Sequence, residues 1–113
     1  MEKFMLIFQG GQSAGRSPEQ MKLQMEKWMA WIENLNKSGK FVYGEPLLPG
    51  GKLVSGKDKT VTDGPFAEGK EVVGGFFVIK AEDMNDAVGI SSECPDFELG
   101  TSVQVRQVRK MEM

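Results

Sequence analysis

Apolar residues follow two periodicities along the chain and divide it into short predicted strands and two helices. Five consecutive apolar residues, Phe4 to Phe8, predict a strand that is buried on both faces. The run from Glu71 to Lys80 is also apolar on both faces and predicts a central strand, which the Gly74-Gly75 pair would bend, bulge or bring close to a neighbour. Valines alternate with polar residues from Ser102 to Val108, so this segment predicts the last strand.

Residues 17–39 follow the first predicted strand and have the capping residues and the spacing of a helix. Ser17, Pro18 and Gln20 suit an N-cap, a first helical position and a capping box, and Gly39 would be the C-cap. Apolar residues recur every three or four positions and predict a core-facing stripe, namely Met21, Met25, Trp28, Ile32 and Leu35. Trp31 lies beside this stripe and is expected at its rim or at an interface.

The remaining segments complete a βαββαβ order. Lys52–Val54 and Lys59–Thr62 predict a hairpin with its turn at 55–58. Asp83 is expected to cap a second helix, which runs to about Cys94 and is stopped by Pro95. This order is typical of a ferredoxin-like α+β fold, with an antiparallel sheet and, here, an inserted hairpin. A single domain over residues 1–113 accounts for it.

The pattern also predicts a second copy of the chain. Helices in this topology cover one face of the sheet, whereas two strands are apolar on both faces. An identical sheet is the simplest cover for the remaining face. We therefore expect a homodimer, a dimeric α+β barrel in which any cavity lies between the two sheets.

Composition narrows the classes of function. A net charge of -2 with scattered basic residues argues against a nucleic-acid partner. No apolar run is long enough for a signal sequence or a membrane span. The single cysteine, Cys94, suits a reducing compartment, so we expect a cytoplasmic protein in which Cys94 is a small, buried or half-buried filler. The chain has no histidine, and neither a metal site nor a cofactor is predicted.

The glycine-rich loop from Gly10 to Ser17 has the spacing of a phosphate-binding P-loop, with Arg16 in place of the lysine. It follows a predicted strand and opens a helix, but no apolar strand ends in a magnesium-binding aspartate. The helix cap at Ser17 explains the same residues without a phosphate. We prefer that interpretation, with anion binding at the helix N-terminus as the alternative.

A charged turn at 62–71 has two interpretations. It is either a solvated connection between strands or a turn that presents Asp63 to a cavity, with Lys70 and Arg106 supplying positive charge. Arg106 alternates with Val103 and Val105 and therefore points to the opposite face of the sheet. Beside an apolar cavity, such a cation would hold a small acidic ligand.

The run from Thr62 to Phe77, TDGPFAEGKEVVGGFF, strongly resembles the signature of the YCII-related domain family, in its DGPF (DGPFAETKE) branch. Other landmarks of the resemblance span nearly the whole chain: Ser17-Pro18-Glu19, Gly44-Glu45-Pro46-Leu47 with Pro49, and Val103 to Arg106. The sequence departs from the branch at Gly69, where threonine is usual, and at Gln107, where proline is usual.

The resemblance implies a ferredoxin-like α+β fold and dimers whose sheets face each other. It also implies small-molecule enzymes or binding proteins, with at least one branch acting as a dehydrochlorinase on a chlorinated aromatic. A His-Asp pair has been suggested as the active centre of the family. Asp63 matches the aspartate, but no position supplies the histidine. The DGPF branch is often associated with extracytoplasmic-function sigma factors, which implies an accessory role.

Three functions stay open at this point. In the first, the homodimer binds a small acidic or aromatic molecule, with or without lyase- or isomerase-type chemistry. Asp63 would be the acid-base group, Lys70 and Arg106 the anion ligands, and Phe66 and Tyr43 cavity walls. In the second, the chain is a non-catalytic module that works with a sigma factor. In the third, the charged turn only supports strand pairing, with Asp63 capping backbone N–H groups.

Overall fold

The computed structural model of the chain describes residues 1–11, 15–63 and 72–111. Its elements, in chain order, are β1 (Glu2–Gly10), α1 (Pro18–Lys37), β2 (Phe41–Pro46), β3 (Lys52–Ser55), β4 (Thr60–Asp63), β5 (Val73–Ala81), α2 (Met84–Ser91), a short 3-10 helix (Phe97–Leu99) and β6 (Thr101–Gln107). This is the predicted α+β order, with the β3–β4 hairpin inserted between β2 and β5.

Four of the strands form one antiparallel sheet in the order β2-β5-β1-β6, so β1 and β5 are central. This order is that of a ferredoxin-like fold. Gly74 is an extra residue in β5 and makes a bulge opposite Phe8 and Gln9. A Cβ on Gly75 would lie 2.9 Å from the carbonyl oxygen of Glu45. The bulge and the close backbone approach expected at this glycine pair are both present.

Helix α1 begins with the predicted capping box. The Ser17 hydroxyl accepts a hydrogen bond from the Gln20 N–H at 3.1 Å, and the Gln20 side chain accepts one from the Ser17 N–H at 2.9 Å. At the other end Ser38 is the cap, and Gly39 follows it with a φ of 73°. The glycine is thus one position beyond the cap, where a left-handed conformation commonly ends a helix.

The buried stripe of α1 is rotated from the predicted one. Trp31 is only 4 % exposed and Leu35 is equally deep, while Trp28 is partly buried. Met21 and Met25, which the spacing assigned to the core, are more than half exposed. The rim or interface position predicted for Trp31 was wrong, because aromatic residues of the sheet pack directly against its indole ring.

The core between α1 and the sheet is an aromatic cluster. Its rings pack edge to face or tilted, with centroids 4.9 to 6.0 Å apart, and belong to Phe8, Trp28, Trp31, Phe41 and Phe77. Helix α2 closes the other end of this core with aliphatic side chains. Both helices therefore lie on the same face of the sheet.

A carboxylate ties α1 to the segment before β6. Asp96 Oδ1 accepts hydrogen bonds from Gln24 Nε2 at 2.6 Å and from Trp28 Nε1 at 2.9 Å. Gln24 also donates to the carbonyl oxygen of Pro95 at 2.8 Å, which allows this polar side chain to be buried. These contacts join residues far apart in the sequence, and no local pattern predicts them.

Helix α2 confirms the predicted start but not the predicted end. Asp83 is its N-cap and accepts a hydrogen bond from the Asp86 N–H at 2.8 Å. The helix stops at Ser91, before Cys94, and turns lead from there to the 3-10 helix. The end came early because bonds from the backbone N–H groups of Glu93 and Cys94 close turns instead of continuing the helix.

At Gly44, strand β2 packs directly against the ring of Phe77. A Cβ at this position would clash with the ring and would lie 2.7 Å from the carbonyl oxygen of Phe76. Gly44→Ala is therefore expected to lower the free energy of unfolding by about 1–3 kcal/mol in urea titrations. Gly89→Ala is the matched control, because nothing lies within 4 Å of a Cβ on this exposed helical glycine. It should raise the free energy of unfolding by roughly 0.5–1 kcal/mol. An unchanged urea midpoint for Gly44→Ala would contradict the packing.

Candidate functional site

One face of the four-stranded sheet carries both helices, and no described element packs on the other. We call this other face the open face. Its side chains form rows across the sheet, from β2 through β5 and β1 to β6. One row is Tyr43, Val78, Met5 and Arg106, and the next is Glu45, Phe76, Ile7 and Gln104.

The centre of the open face is apolar. Met5, Ile7 and Phe76 are partly exposed there, and Val78 is shielded by its neighbours. Tyr43 stands at the β2 edge, half exposed, with its ring edge to face against Phe76 at a centroid distance of 5.7 Å. These side chains form an apolar floor with an aromatic edge.

Charged groups surround this floor unevenly. Arg106 is exposed at the β6 edge, and Lys3 and Lys80 face each other one row beyond Met5 and Val78. The only carboxylate in the two central rows is Glu45, at the opposite corner. Among the described residues, neither Arg106 nor Glu45 has an ion-pair partner. The open face therefore has a cationic end and an acidic corner.

Two of the predicted site residues lie on the open face, at opposite edges. Tyr43 and Arg106 belong to the same row, with β5 and β1 between them. Neighbouring strands are about 4.8 Å apart, so roughly 14 Å separates their backbones. Phe66 and Lys70 lie outside the described residues.

Asp63 lies elsewhere in the fold. It ends β4, which pairs only with β3 in a separate two-stranded sheet. Its side chain is 88 % exposed and forms an ion pair with Lys52 on the neighbouring strand. Within the described part of the chain, Asp63 and Arg106 do not contact each other, so the predicted grouping of these charges is not formed there.

Comparison with known proteins identifies the family. The model of the YCII-related domain matches residues 3–112, which is nearly the whole chain. The chain belongs to the YCII-related family. The DGPF branch is a finer assignment that stays a prediction. No curated protein matches the sequence of this family member.

A solved structure shares the fold of this YCII-related chain. It is 5-chloro-2-hydroxyhydroquinone dehydrochlorinase from Burkholderia phenoliruptrix AC1100, in complex with 2,5-dihydroxybenzoquinone. The two chains superpose with a TM-score of 0.51 and 18 % sequence identity, over 94 % of this chain and 93 % of the other. At this identity the likeness concerns the fold, and it confirms the predicted ferredoxin-like α+β architecture.

In the part of the chain that the structure describes, the other motifs noted in the sequence give little support for a different functional site. The predicted capping box at Ser17 is confirmed. Positions 12–14 of the glycine-rich loop lie outside the described residues, and the choice between a capping loop and an anion-binding loop stays a prediction. In residues 1–11, 15–63 and 72–111, no three carboxylate or thiol side chains come together as metal ligands would. No helix in those ranges is long and apolar enough to cross a membrane.

The sequence patterns missed the residues that make up most of the open face. The patterns identified β1 and β5 as apolar on both sides but did not show which side the helices cover. Glu45 was noted only as part of a family landmark. Met5 and Ile7 alternate with the buried residues of β1, Phe4, Leu6 and Phe8. This alternation was the available signal, and it identifies the open face only once the side that the helices cover is known.

The thiol of Cys94, the single cysteine of the chain, is buried in the described core. Cys94 is 5 % exposed, and burial raises the pKa of its thiol from 9.0 to about 11, while a hydrogen bond from the Asp96 backbone lowers this pKa and the Asp96 carboxylate raises it by a smaller effect. At pH 8 the native thiol is expected to react with a disulfide reagent at least about 100-fold more slowly than the thiol of the urea-unfolded chain. Equal rates in the two states would contradict the burial.

Because the pKa of the Cys94 thiol is higher in the folded chain than in the unfolded chain, the contribution of the neutral thiol to stability is complete below pH 9 and is lost as the pH rises through about 11.

Proposed function

We propose that this YCII-related protein forms a homodimer through the open face and binds a small acidic or aromatic molecule between the two sheets. The observation that carries the proposal is the apolar floor of Met5, Ile7, Phe76 and Val78, which no described element covers. Partly exposed apolar side chains on two central strands favour a partner of the same character. A second copy offers it without any other protein.

The charges around the floor indicate the chemical class of the ligand. Arg106, Lys3 and Lys80 place three cationic side chains near one end, where a carboxylate or phenolate would be attracted. Tyr43 and Phe76 offer aromatic surface in the adjoining rows. The dehydrochlorinase of similar fold holds 2,5-dihydroxybenzoquinone, a small ring with two hydroxyl groups. A ligand of that kind matches both features of the open face.

The acid-base groups available in the chain favour binding over turnover. The chain lacks histidine, and general-base catalysis by a carboxylate near neutral pH depends on burial. Asp63 is almost fully exposed and paired with Lys52, which is a poor setting for a base. The lyase- or isomerase-type alternative, the acid-base role of Asp63, and the binding roles of Phe66 and Lys70 stay predictions.

The dimer is tested by placing a charge in the apolar floor. The wild-type protein should sediment at twice the 12.5 kDa mass of the chain. Ile7→Glu is expected to weaken the dimer at least tenfold, because two carboxylates would be buried in the seam. Met25→Glu is the matched control, since Met25 is an exposed side chain of α1 on the other side of the sheet. A wild-type monomer at micromolar concentration would refute the proposal.

The ligand site is tested with 2,5-dihydroxybenzoquinone and a set of substituted benzoates as probes, by calorimetric titration. Arg106→Ala should weaken the binding of an anionic probe roughly 10-fold or more, because a charge-assisted hydrogen bond is lost. Arg109→Ala, just beyond the end of β6, is the control and should bind like the wild type. Asp63→Asn should also leave affinity unchanged if its exposure persists in the dimer. Unaltered affinity of Arg106→Ala for every probe that binds would exclude Arg106 from the site.

A second candidate function, that of an accessory module for a sigma factor, has one surface in its favour. Met21, Met25 and Met29 follow one another along α1 and are each more than half exposed, away from the open face. Flexible methionine side chains are common at adaptable protein interfaces. Co-purification of a sigma factor that is lost in a Met21→Ser, Met25→Ser, Met29→Ser variant would support this function, and its absence would count against it.

A further inference from the structure

Two glutamine side chains form a hydrogen-bonded pair on the open face, which we call the amide pair. Gln104 Nε2 donates to Gln9 Oε1 at 3.0 Å, between the adjacent strands β6 and β1. Gln104 is paired with Ile7, and Gln9 follows Ile7 by two residues on the same side of β1. The apolar floor therefore ends in neutral hydrogen-bonding groups, on the side away from Lys3 and Lys80.

The amide pair presents one donor and one acceptor to another molecule. Each glutamine amide carries two N–H donors and one carbonyl oxygen. Within the described ranges, the bond between Gln9 and Gln104 is the one side-chain hydrogen bond that either amide makes. It uses the oxygen of Gln9 and an N–H of Gln104, so the amino group of Gln9 and the oxygen of Gln104 remain. Reversing both amides would only exchange these roles.

A hydroxyl group is complementary to such a pair, because it donates one hydrogen bond and accepts another. A carboxylate only accepts, so it would leave the amide oxygen without a donor. The guanidinium of Arg106 has the opposite preference, since it only donates and carries a positive charge. An anionic group and a hydroxyl group on one molecule would therefore bind at different places on the open face.

The distance between these two places matches a small ring. Arg106 and Gln104 lie on the same side of β6, two residues apart, which is about 7 Å along a strand. Their partners on β1 are Met5 and Ile7, so the surface beside them is apolar. A benzene ring with substituents on opposite carbons has a comparable length. Its two faces are apolar, and its ends would reach Arg106 and the amide pair.

We infer that the amide pair of Gln9 and Gln104 is a specificity subsite that selects aromatic acids with a hydroxyl group opposite the carboxylate. This inference rests on the ligand site of the proposed function and specifies the class of its ligand. The carboxylate binds Arg106, the ring lies over Met5 and Ile7, and the hydroxyl group bonds both amides. Without the hydroxyl group, the two amides would have no partner on the ligand.

Calorimetric titration with para-hydroxybenzoate and benzoate tests the subsite. The wild-type protein should bind para-hydroxybenzoate roughly tenfold more tightly, because the hydroxyl group adds hydrogen bonds to the amides. The preference should fall to about twofold or less in Gln104→Leu. Gln107→Leu is the matched control and should keep the wild-type preference, because Gln107 is paired with the buried Phe4 and lies on the helix side of β6. Circular dichroism would show that both variants fold, as expected for exposed positions.

Two further probes examine the chemistry and the position of the hydroxyl group. para-Methoxybenzoate accepts a hydrogen bond but cannot donate one, so it should lose most of the preference over benzoate. ortho-Hydroxybenzoate carries its hydroxyl group beside the carboxylate, too far from the amide pair, and should bind about as tightly as benzoate. In NMR spectra, the side-chain amide signals of Gln9 and Gln104 should shift on addition of para-hydroxybenzoate and much less on addition of benzoate.

The outcomes separate this inference from the proposal on which it rests. Equal affinities of the wild-type protein for para-hydroxybenzoate and benzoate would overturn the subsite and leave the ligand site standing. A preference that persists in Gln104→Leu would also overturn it. Binding of 2,5-dihydroxybenzoquinone without binding of either acid would overturn the inference alone, and failure of every probe to bind would overturn the ligand site with it. A preference that is lost in Gln104→Leu and kept in Gln107→Leu supports the subsite.

Discussion

The structure depends on a central strand that is apolar on both sides. β1 lies between β5 and β6 and sends Phe4, Leu6 and Phe8 toward the helices, while Met5 and Ile7 point the other way. The two helices of a βαββαβ chain pack on one face of its sheet. Burial of apolar surface stabilises the helix side through the aromatic cluster. The same alternation leaves an apolar floor on the other side, which is the basis for the proposed dimer.

The charges are arranged by the same geometry. Side chains on an antiparallel sheet line up in rows, so residues from distant parts of the sequence share one surface. Arg106 and Tyr43 meet in this way, and so do Lys3 and Lys80. Without histidine the chain has no side chain that titrates near neutral pH in its usual form. The proposed anionic ligand would meet the cationic side chains of this surface.

The first residues of the family motif lie in the inserted hairpin, outside the rows of the open face. β3 and β4 pair with each other alone, and Leu53, Val54 and Val61 are largely exposed on them. A two-stranded sheet is marginally stable without other contacts. Asp63, at the base of this hairpin, is directed to solvent and held by Lys52. The aspartate that the family resemblance marks for chemistry thus lies apart from the apolar floor in a single chain.

Local sequence determined the elements and most of their ends. Capping residues, glycine positions and β-branched runs act over a few residues, so the capping box at Ser17, the Asp83 cap and the bulge at Gly74 could all be predicted. Tertiary structure decided which side of each element is buried. Trp31, and not Met21 or Met25, lies in the core because the sheet has aromatic partners on that side of α1. Gln24 is buried because its side chain donates a hydrogen bond to Asp96. The rows that join Arg106 to Tyr43 depend on strand order and register, and these are set by long-range packing that no local pattern contains.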